Sequence, residues 1–351
     1  MRLPTTNPEQ LRVFHIGGYS RGANDMVNQM RLGLEQAGAT VFEYDTDLHR
    51  DALDTDGIEY DRGTSGPVWL RWDRIREPLE DFEPQLVVCN AGGLGFRPDD
   101  AESLRRRACL VGIALSDPDV FEPATRWIAP GFDVFLTNAP DCVPRYEALG
   151  VRAMLLPIGT NHEFFRPVQP LPEYRCEVLH LGRALPDRVE PVRALLENFD
   201  THLYGERWDE YGIPSRGVIY GDALLSALSS AAVTVLFFLT PSGRPLVKVG
   251  LFDFAAAGAL VATNRFTEVE RYFDYGTEII GFDTTEDMVR TIRHHLDHPD
   301  QAAAIRHAGR ERVLREHSWA AIWTRLIDAF GESPSLRVRA AGALRRLSGR
   351  R

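Results

Sequence analysis

Short apolar runs, separated by glycine turns and helix-length amphipathic segments, recur along the chain, and this alternation restricts the fold more than any other feature. Residues 11–16 form such a run, closed by Gly17 and Gly18. Residues 24–36 follow with Met26, Met30 and Leu34 at helical spacing and a stop at Gly38. Further apolar runs at 40–44, 85–89, 108–115, 134–137 and 154–157 repeat the pattern. Strands that alternate with helices in this way cannot close as hairpins. They predict a parallel, doubly wound sheet with helices on both faces.

The pattern then breaks and restarts. Prolines at 157, 167, 170 and 172 crowd around Gly159-Thr160-Asn161-His162, poor material for the interior of any element. From Cys176 the alternation resumes, with strands predicted at 176–181, 201–204, 218–220, 233–239, 260–263 and 278–280. Helices are predicted at 285–296, 301–316 and 319–330. A chain of 351 residues exceeds one comfortable core. The expectation is α/β, with two facing doubly wound parallel-sheet (Rossmann-like) domains: 1–160, a linker 161–173, 174–316, and C-terminal helices 317–351 that cross back towards the first domain.

A net charge of −10 argues against nucleic acid as a partner, because such binding needs a cationic face. Any anionic ligand must be caught locally. Cys89, Cys109, Cys142 and Cys176 include no C-x-x-C pair, which fits reduced thiols and gives no zinc signature. No basic-then-apolar segment opens the chain, and the longest apolar run, 231–239, is too short to span a bilayer. These features point to the cytoplasm. The tail 335–351 holds six arginines and no acid, with Leu336, Ala340, Leu344 and Leu347 at helical spacing. Such a helix is suited to weak contact with an anionic membrane surface, or equally to lying solvated at the chain end.

Residues 241–264 concentrate the chemistry. Ser242-Gly243-Arg244-Pro245 is a loop feeding a helix that runs from Val249 to Ala257 and ends at Gly258. Unpaired N–H groups at such a helix start suit a diphosphate, with Arg244 and Lys248 adding charge. Asp253 sits where a carboxylate can accept both hydroxyls of a ribose. The alternative is an ordinary helix with an incidental acid. Gly182 and Arg183 close the second domain's first strand, and Arg188 follows before the next helix, so both cations fall at the carboxyl edge of a sheet. There they can neutralise a departing diphosphate without metal, or simply lie on a surface loop. Asp117, after the apolar run ending at Leu115, is expected either to face the cleft as an acid that orients or deprotonates an acceptor hydroxyl, or to cap the following turn. Gly17-Gly18 does not continue into a G-x-G-x-x-G fingerprint, and no P-loop, kinase or H-E-x-x-H motif occurs. His294, His295 and His298 read as solvated.

Pro157-Ile158-Gly159, then Asn161 and Phe165-Arg166-Pro167, the G-R-x4-R run from Gly182, the D-F-A-A-A-G helix and His317-Ser318-Trp319 together resemble the retaining, group 1 glycosyltransferases of the GT-B fold. Within them the chain is similar to the type related to spore-maturation proteins. The resemblance covers most of 155–330. It implies a transferase that moves a sugar from a nucleoside diphosphate sugar, a UDP-sugar above all, to a small-molecule, lipid, protein or glycan acceptor. It implies no cofactor beyond that co-substrate and no metal. Asp253, where relatives usually carry Glu, would hold the ribose. Arg183, Arg188 and Lys248 would act on the diphosphate, and Ser242, Gly243, Arg244 and Val249 would contact sugar and diphosphate. Gly182, Ile219 and Tyr220 would line the nucleoside site, and Gly17 and Gly18 would bring backbone near donor or acceptor. Pro245 stands where many relatives have a sugar-reading Glu, so donor-sugar identity does not carry over. Arg188 replaces a residue that is often Lys. An epimerase on the same fold, or a binding protein that lost its chemistry, stays an alternative reading.

Overall fold

The computed structural model describes residues 11–19, 25–55, 66–90, 93–239, 243 and 245–331. Contacts divide the chain into two compact units. One is built on Val27–Pro157 together with the first strand and the last helix, the other on Ile158–Ser318.

The first unit runs β1 (Arg12–Gly17), α1 (Met26–Gln36), β2 (Thr40–Asp45), β3 (Leu53–Asp54), β4 (Val68–Leu70), α2 (Trp72–Phe82), β5 (Leu86–Asn90), β6 (Leu94–Phe96), α3 (Pro98–Arg105), β7 (Cys109–Ala114), α4 (Arg126–Ile128), β8 (Val134–Thr137), α5 (Val143–Glu147) and β9 (Ala153–Leu155). Its main sheet is parallel throughout, in the order β2-β1-β5-β7-β8-β9. β7 is buried at all six positions, as a strand covered on both faces must be. Its side chains need no polar alternation, and the sequence supplies almost none. A small second sheet, β3-β4-β6, was not legible in the sequence because its strands are two or three residues long.

The second unit runs β10 (Cys176–Leu181), α6 (Pro186–Asn198), β11 (Thr201–Tyr204), α7 (Gly221–Ser230), β12 (Ala231–Leu236), α8 (Val249–Ala256), β13 (Val261–Asn264), β14 (Ile280–Phe282), α9 (Thr285–Asp297) and α10 (Pro299–Glu316). Its sheet is again all parallel, in the order β11-β10-β12-β13-β14. The apolar run at 231–239 supplies its central strand. Residues 218–220 form no strand, contrary to the sequence expectation. Val218 and Tyr220 are 47% and 60% exposed there, so no sheet face recruits them. Residues 161–173 pack within this unit: the backbone N–H groups of Val168 and Leu171 donate to the hydroxyls of Ser229 and Ser230.

Helix α11 (Trp319–Gly331) packs with the first unit. Trp319, Ile322, Trp323, Leu326 and Phe330 form its buried stripe at helical spacing. The Trp323 indole N–H donates to the Met30 carbonyl at 2.9 Å, and Gly33 of α1 lies so close to Trp319 that a Cβ would collide with it.

Asp117 is fully buried in the first unit. Its carboxylate accepts from the hydroxyls of Thr137 at 2.6 Å, Tyr146 at 2.8 Å and Thr125 at 3.4 Å. Burial pushes its carboxyl up, against those three hydrogen bonds, which favour the ionised form. The expectation of a cleft-facing acid is therefore corrected. Thr137 and Tyr146, far along the chain, turn this acid into a core bracket.

Candidate functional site

A cavity of about 360 Å³ opens at the carboxyl edge of the second unit's sheet. Leu181, Gly182 and Arg183 follow β10 into its wall, Tyr204, Gly205 and Glu206 follow β11, and Val249, Gly250, Asp253 and Phe254 come from α8. Val218, Ile219, Tyr220, Leu224 and Phe165 complete the lining. This is the crevice beside the point where strand order reverses, between β10 and β12, the place where open α/β sheets bind ligands.

Helix α8 follows the pattern its sequence implies. Lys248 precedes it in extended conformation, and its first turn carries no acid, so its N–H groups and dipole keep their positive end. Gly258, at φ +78°, ends it, and the N–H groups of Gly258 and Ala259 return to Ala255 and Phe254. Ala255, Ala256 and Ala257 are buried, which holds the helix tight against the unit's core. Asp253 is 4% exposed, and its carboxylate Oδ1 accepts from the Thr160 hydroxyl at 2.6 Å.

Arg188 lies beneath the glycine turn. One guanidinium nitrogen donates to the Arg183 carbonyl at 3.1 Å, another reaches the Leu239 carbonyl at 3.5 Å, and Nε is buried without a partner. A Cβ on Gly182 would lie 3.1 Å from Arg188 Nη1. Among the described residues no carboxylate pairs with this cation, and burial lowers its pKa. A buried guanidinium without a counterion is costly, so the place is suited to an anionic ligand. Arg183 is exposed on the cavity lip.

The structure brings Gly182, Arg183, Ile219, Tyr220, Val249 and Asp253 to one cavity, with Arg188 behind its wall and Lys248 at the start of α8. Gly243 is exposed at φ +77° in the turn between Leu239 and Pro245, which pair as an antiparallel bridge. Ser242 and Arg244 lie outside the described residues. Gly17 and Gly18 belong to the other unit. The closeness glycine allows there is spent on neighbours: a Cβ on Gly17 would meet Val27 Cγ1 at 2.6 Å and Asn90 O at 3.0 Å, and one on Gly18 would meet the Asp47 carboxylate at 3.1 Å. Packing within the unit gives Gly17 a structural reason to be glycine, and Gly18 faces the Asp47 side chain. Phe165, Tyr204, Gly205, Glu206 and Thr160 were missed. Only the position of Tyr204-Gly205 at a strand end could have signalled them. Among the described residues no group of three or more His, Cys, Asp and Glu is placed to hold a metal.

Gly205 is the tightest point of the wall. At φ +145° it presses on Gly182, and a Cβ would collide with the Gly182 carbonyl, which also accepts from the Trp208 indole at 2.8 Å. Gly205→Ala is expected to cost about 3 kcal/mol of stability, through combined overlap and backbone strain. Denaturant titration checks this, and a loss under 1 kcal/mol contradicts it.

Two buried histidines set an acid limit. Burial lowers His180, beneath the cavity, from 6.5 to about 4, and His15, beside the Tyr19 hydroxyl, from 6.5 to about 3. Folded values below the unfolded one mean that the unfolded chain takes up protons first. Their contribution is therefore full above about pH 6.5 and is lost as pH falls towards 4, at up to about 1.4 kcal/mol per pH unit for each histidine. Denaturation midpoints should drop steeply from pH 7 to 5. His180→Gln should flatten the second unit's share of that slope, and an unchanged slope rules out His180 as its source.

Parallel, doubly wound sheets with a nucleotide-sized crevice at the carboxyl edge define the class: the chain has the GT-B glycosyltransferase fold. It is similar to sucrose-phosphate synthase from Thermosynechococcus elongatus (TM-score 0.61, 16% identity, 92% of this chain and 98% of that one). It is similar also to HepE from Anabaena in complex with UDP and glucose (TM-score 0.60, 9% identity, 92% and 100%). A third is AviGT4, a glycosyltransferase of avilamycin A biosynthesis (TM-score 0.57, 15% identity, 95% and 98%). Residues 186–328 match the family model described as glycosyl transferase-like. No curated protein matches the chain in sequence.

Proposed function

We propose that the protein transfers a sugar from a nucleoside diphosphate sugar, with UDP as the nucleotide, to an acceptor alcohol, and that transfer proceeds with retention and without metal. The observation that carries the reading is one crevice walled by a buried carboxylate, Asp253, and backed by a buried cation, Arg188, which no carboxylate contacts among the described residues. In this reading Asp253 accepts the ribose hydroxyls and the base lies along Val218–Tyr220. The diphosphate rests at the start of α8 between Arg183, Arg188 and Lys248. HepE structures sharing the fold hold UDP and UDP-glucose, which supports the choice of nucleotide.

The chemistry follows from charge. As the glycosidic C–O bond breaks, negative charge builds on the leaving phosphate, and preorganised cations stabilise it without reorganising. The acceptor hydroxyl attacks from the same face, its proton passing to the departing phosphate oxygen. Retention then needs no protein nucleophile, and positioning with electrostatics supplies the rate. Assignment to the spore-maturation type, a cytoplasmic location, and membrane contact through the 335–351 tail belong to the same proposal. Among the described residues no helix is long and apolar enough to cross a membrane.

Calorimetry with UDP, GDP and dTDP, followed by radiolabelled UDP-sugar and an acceptor panel, tests the reading. Binding of UDP with transfer to an alcohol is expected. Binding without turnover across the panel would point to a binding protein, turnover without an acceptor to an epimerase, and no binding at all would end the proposal.

A further inference from the structure

We propose that Thr160 is a positioning residue for ribose recognition and sets the preference for ribonucleotides over deoxyribonucleotides; the inference rests on the reading of Asp253 above. Thr160 lies in proline-rich chain that the sequence marks as connecting material, yet it is fully buried. Its hydroxyl donates to Asp253 Oδ1 at 2.6 Å. An ionised carboxylate has no proton to give, so in this bond Thr160 is the donor and Oδ1 the acceptor. Thr160 is itself fixed. Its N–H donates to the His317 carbonyl at 2.9 Å, and it pairs in parallel with Ser318.

A carboxylate held by a short charge-assisted bond presents one orientation to a ligand, and binding need not order it first. Asp253 is on the cavity wall, so the orientation Thr160 imposes is the one a ribose meets. The backbone pairing of residues 160 and 317–318 joins the chain just after the Pro157–Ile158 step to the chain just before Trp319. The acid is thereby tied to backbone at both ends of the segment Ile158–Ser318.

The test is calorimetry of the full chain with UDP, 2′-deoxy-UDP and 3′-deoxy-UDP. The wild type is expected to favour UDP over the deoxy analogues by about tenfold or more, the scale of a hydrogen bond to a charged group. Thr160→Val should weaken UDP by about tenfold while hardly changing the deoxy analogues, so that the preference collapses. Thr160→Ser should restore UDP affinity to within about twofold, because it keeps the donor. Equal losses on all three nucleotides would make Thr160 merely structural and overturn the proposal, as would an unchanged Thr160→Val. A wild type that binds UDP and both deoxy analogues alike overturns it without any variant. A wild type that binds no nucleoside diphosphate defeats the functional reading first, and this inference with it.

Discussion

Arg188→Leu is expected to lower kcat/KM by about a thousandfold, the upper scale for losing one preorganised charge donor at a developing anion. The guanidinium is buried behind Gly182 and, among the described residues, donates to the carbonyls of Arg183 and Leu239, with Nε unpaired. Such a cation costs the empty protein desolvation and repays it only when an anion arrives. The variant should therefore melt close to the wild type in the absence of nucleotide while losing most UDP affinity and turnover. Arg188→Lys, keeping charge but not the fork, should fall between. Steady-state kinetics with calorimetry distinguishes the outcomes. If Arg188→Leu unfolds much more readily yet binds UDP normally, the residue is a strut between two loops and plays no part with phosphate.

Asp253→Ala should weaken UDP by about a hundredfold, equivalent to roughly 2.7 kcal/mol for the loss of two charge-assisted hydrogen bonds to ribose. In thermal-shift measurements the nucleotide-dependent rise in melting temperature should disappear, since a ligand at a hundred times its Kd adds about 2.7 kcal/mol. The empty variant should itself lose about 1–2 kcal/mol, because the buried Thr160 hydroxyl is left without its acceptor. A variant that keeps the full UDP-dependent shift would remove Asp253 from the nucleotide site. Asp253→Asn, similar in shape but uncharged, should retain part of the affinity.

Much of the crevice in the second unit was legible because its signals are local. A strand ending in Gly182-Arg183, Arg188 five residues on, and a helix stopped at Gly258 are read within windows of a few residues, where capping and turn chemistry act. The first unit's glycines were legible as a turn but not as to what they approach, because Val27, Asn90 and Asp47 arrive from other elements. Asp117 misled for the same reason. Read locally it either faces a cleft or caps the following turn, and only the return of Thr137 and Tyr146 reveals a closed network. The short strands β3, β4 and β6 gave too few alternating positions to register, and residues 218–220 carried strand-like composition without a sheet to join.

What the chain determined by itself was periodicity: runs of buried apolar residues at strand length, spaced by helices, permit only parallel sheets with covered faces, and that grammar repeats after the proline cluster. Tertiary structure alone decided which side chains meet. Phe165 and Thr160 join Asp253, Gly205 presses on Gly182, and Trp323 reaches Met30 across nearly three hundred residues of sequence. Local propensity acts over a turn or a strand, whereas a hydrogen bond or a steric contact depends only on distance in space, which no window of sequence contains.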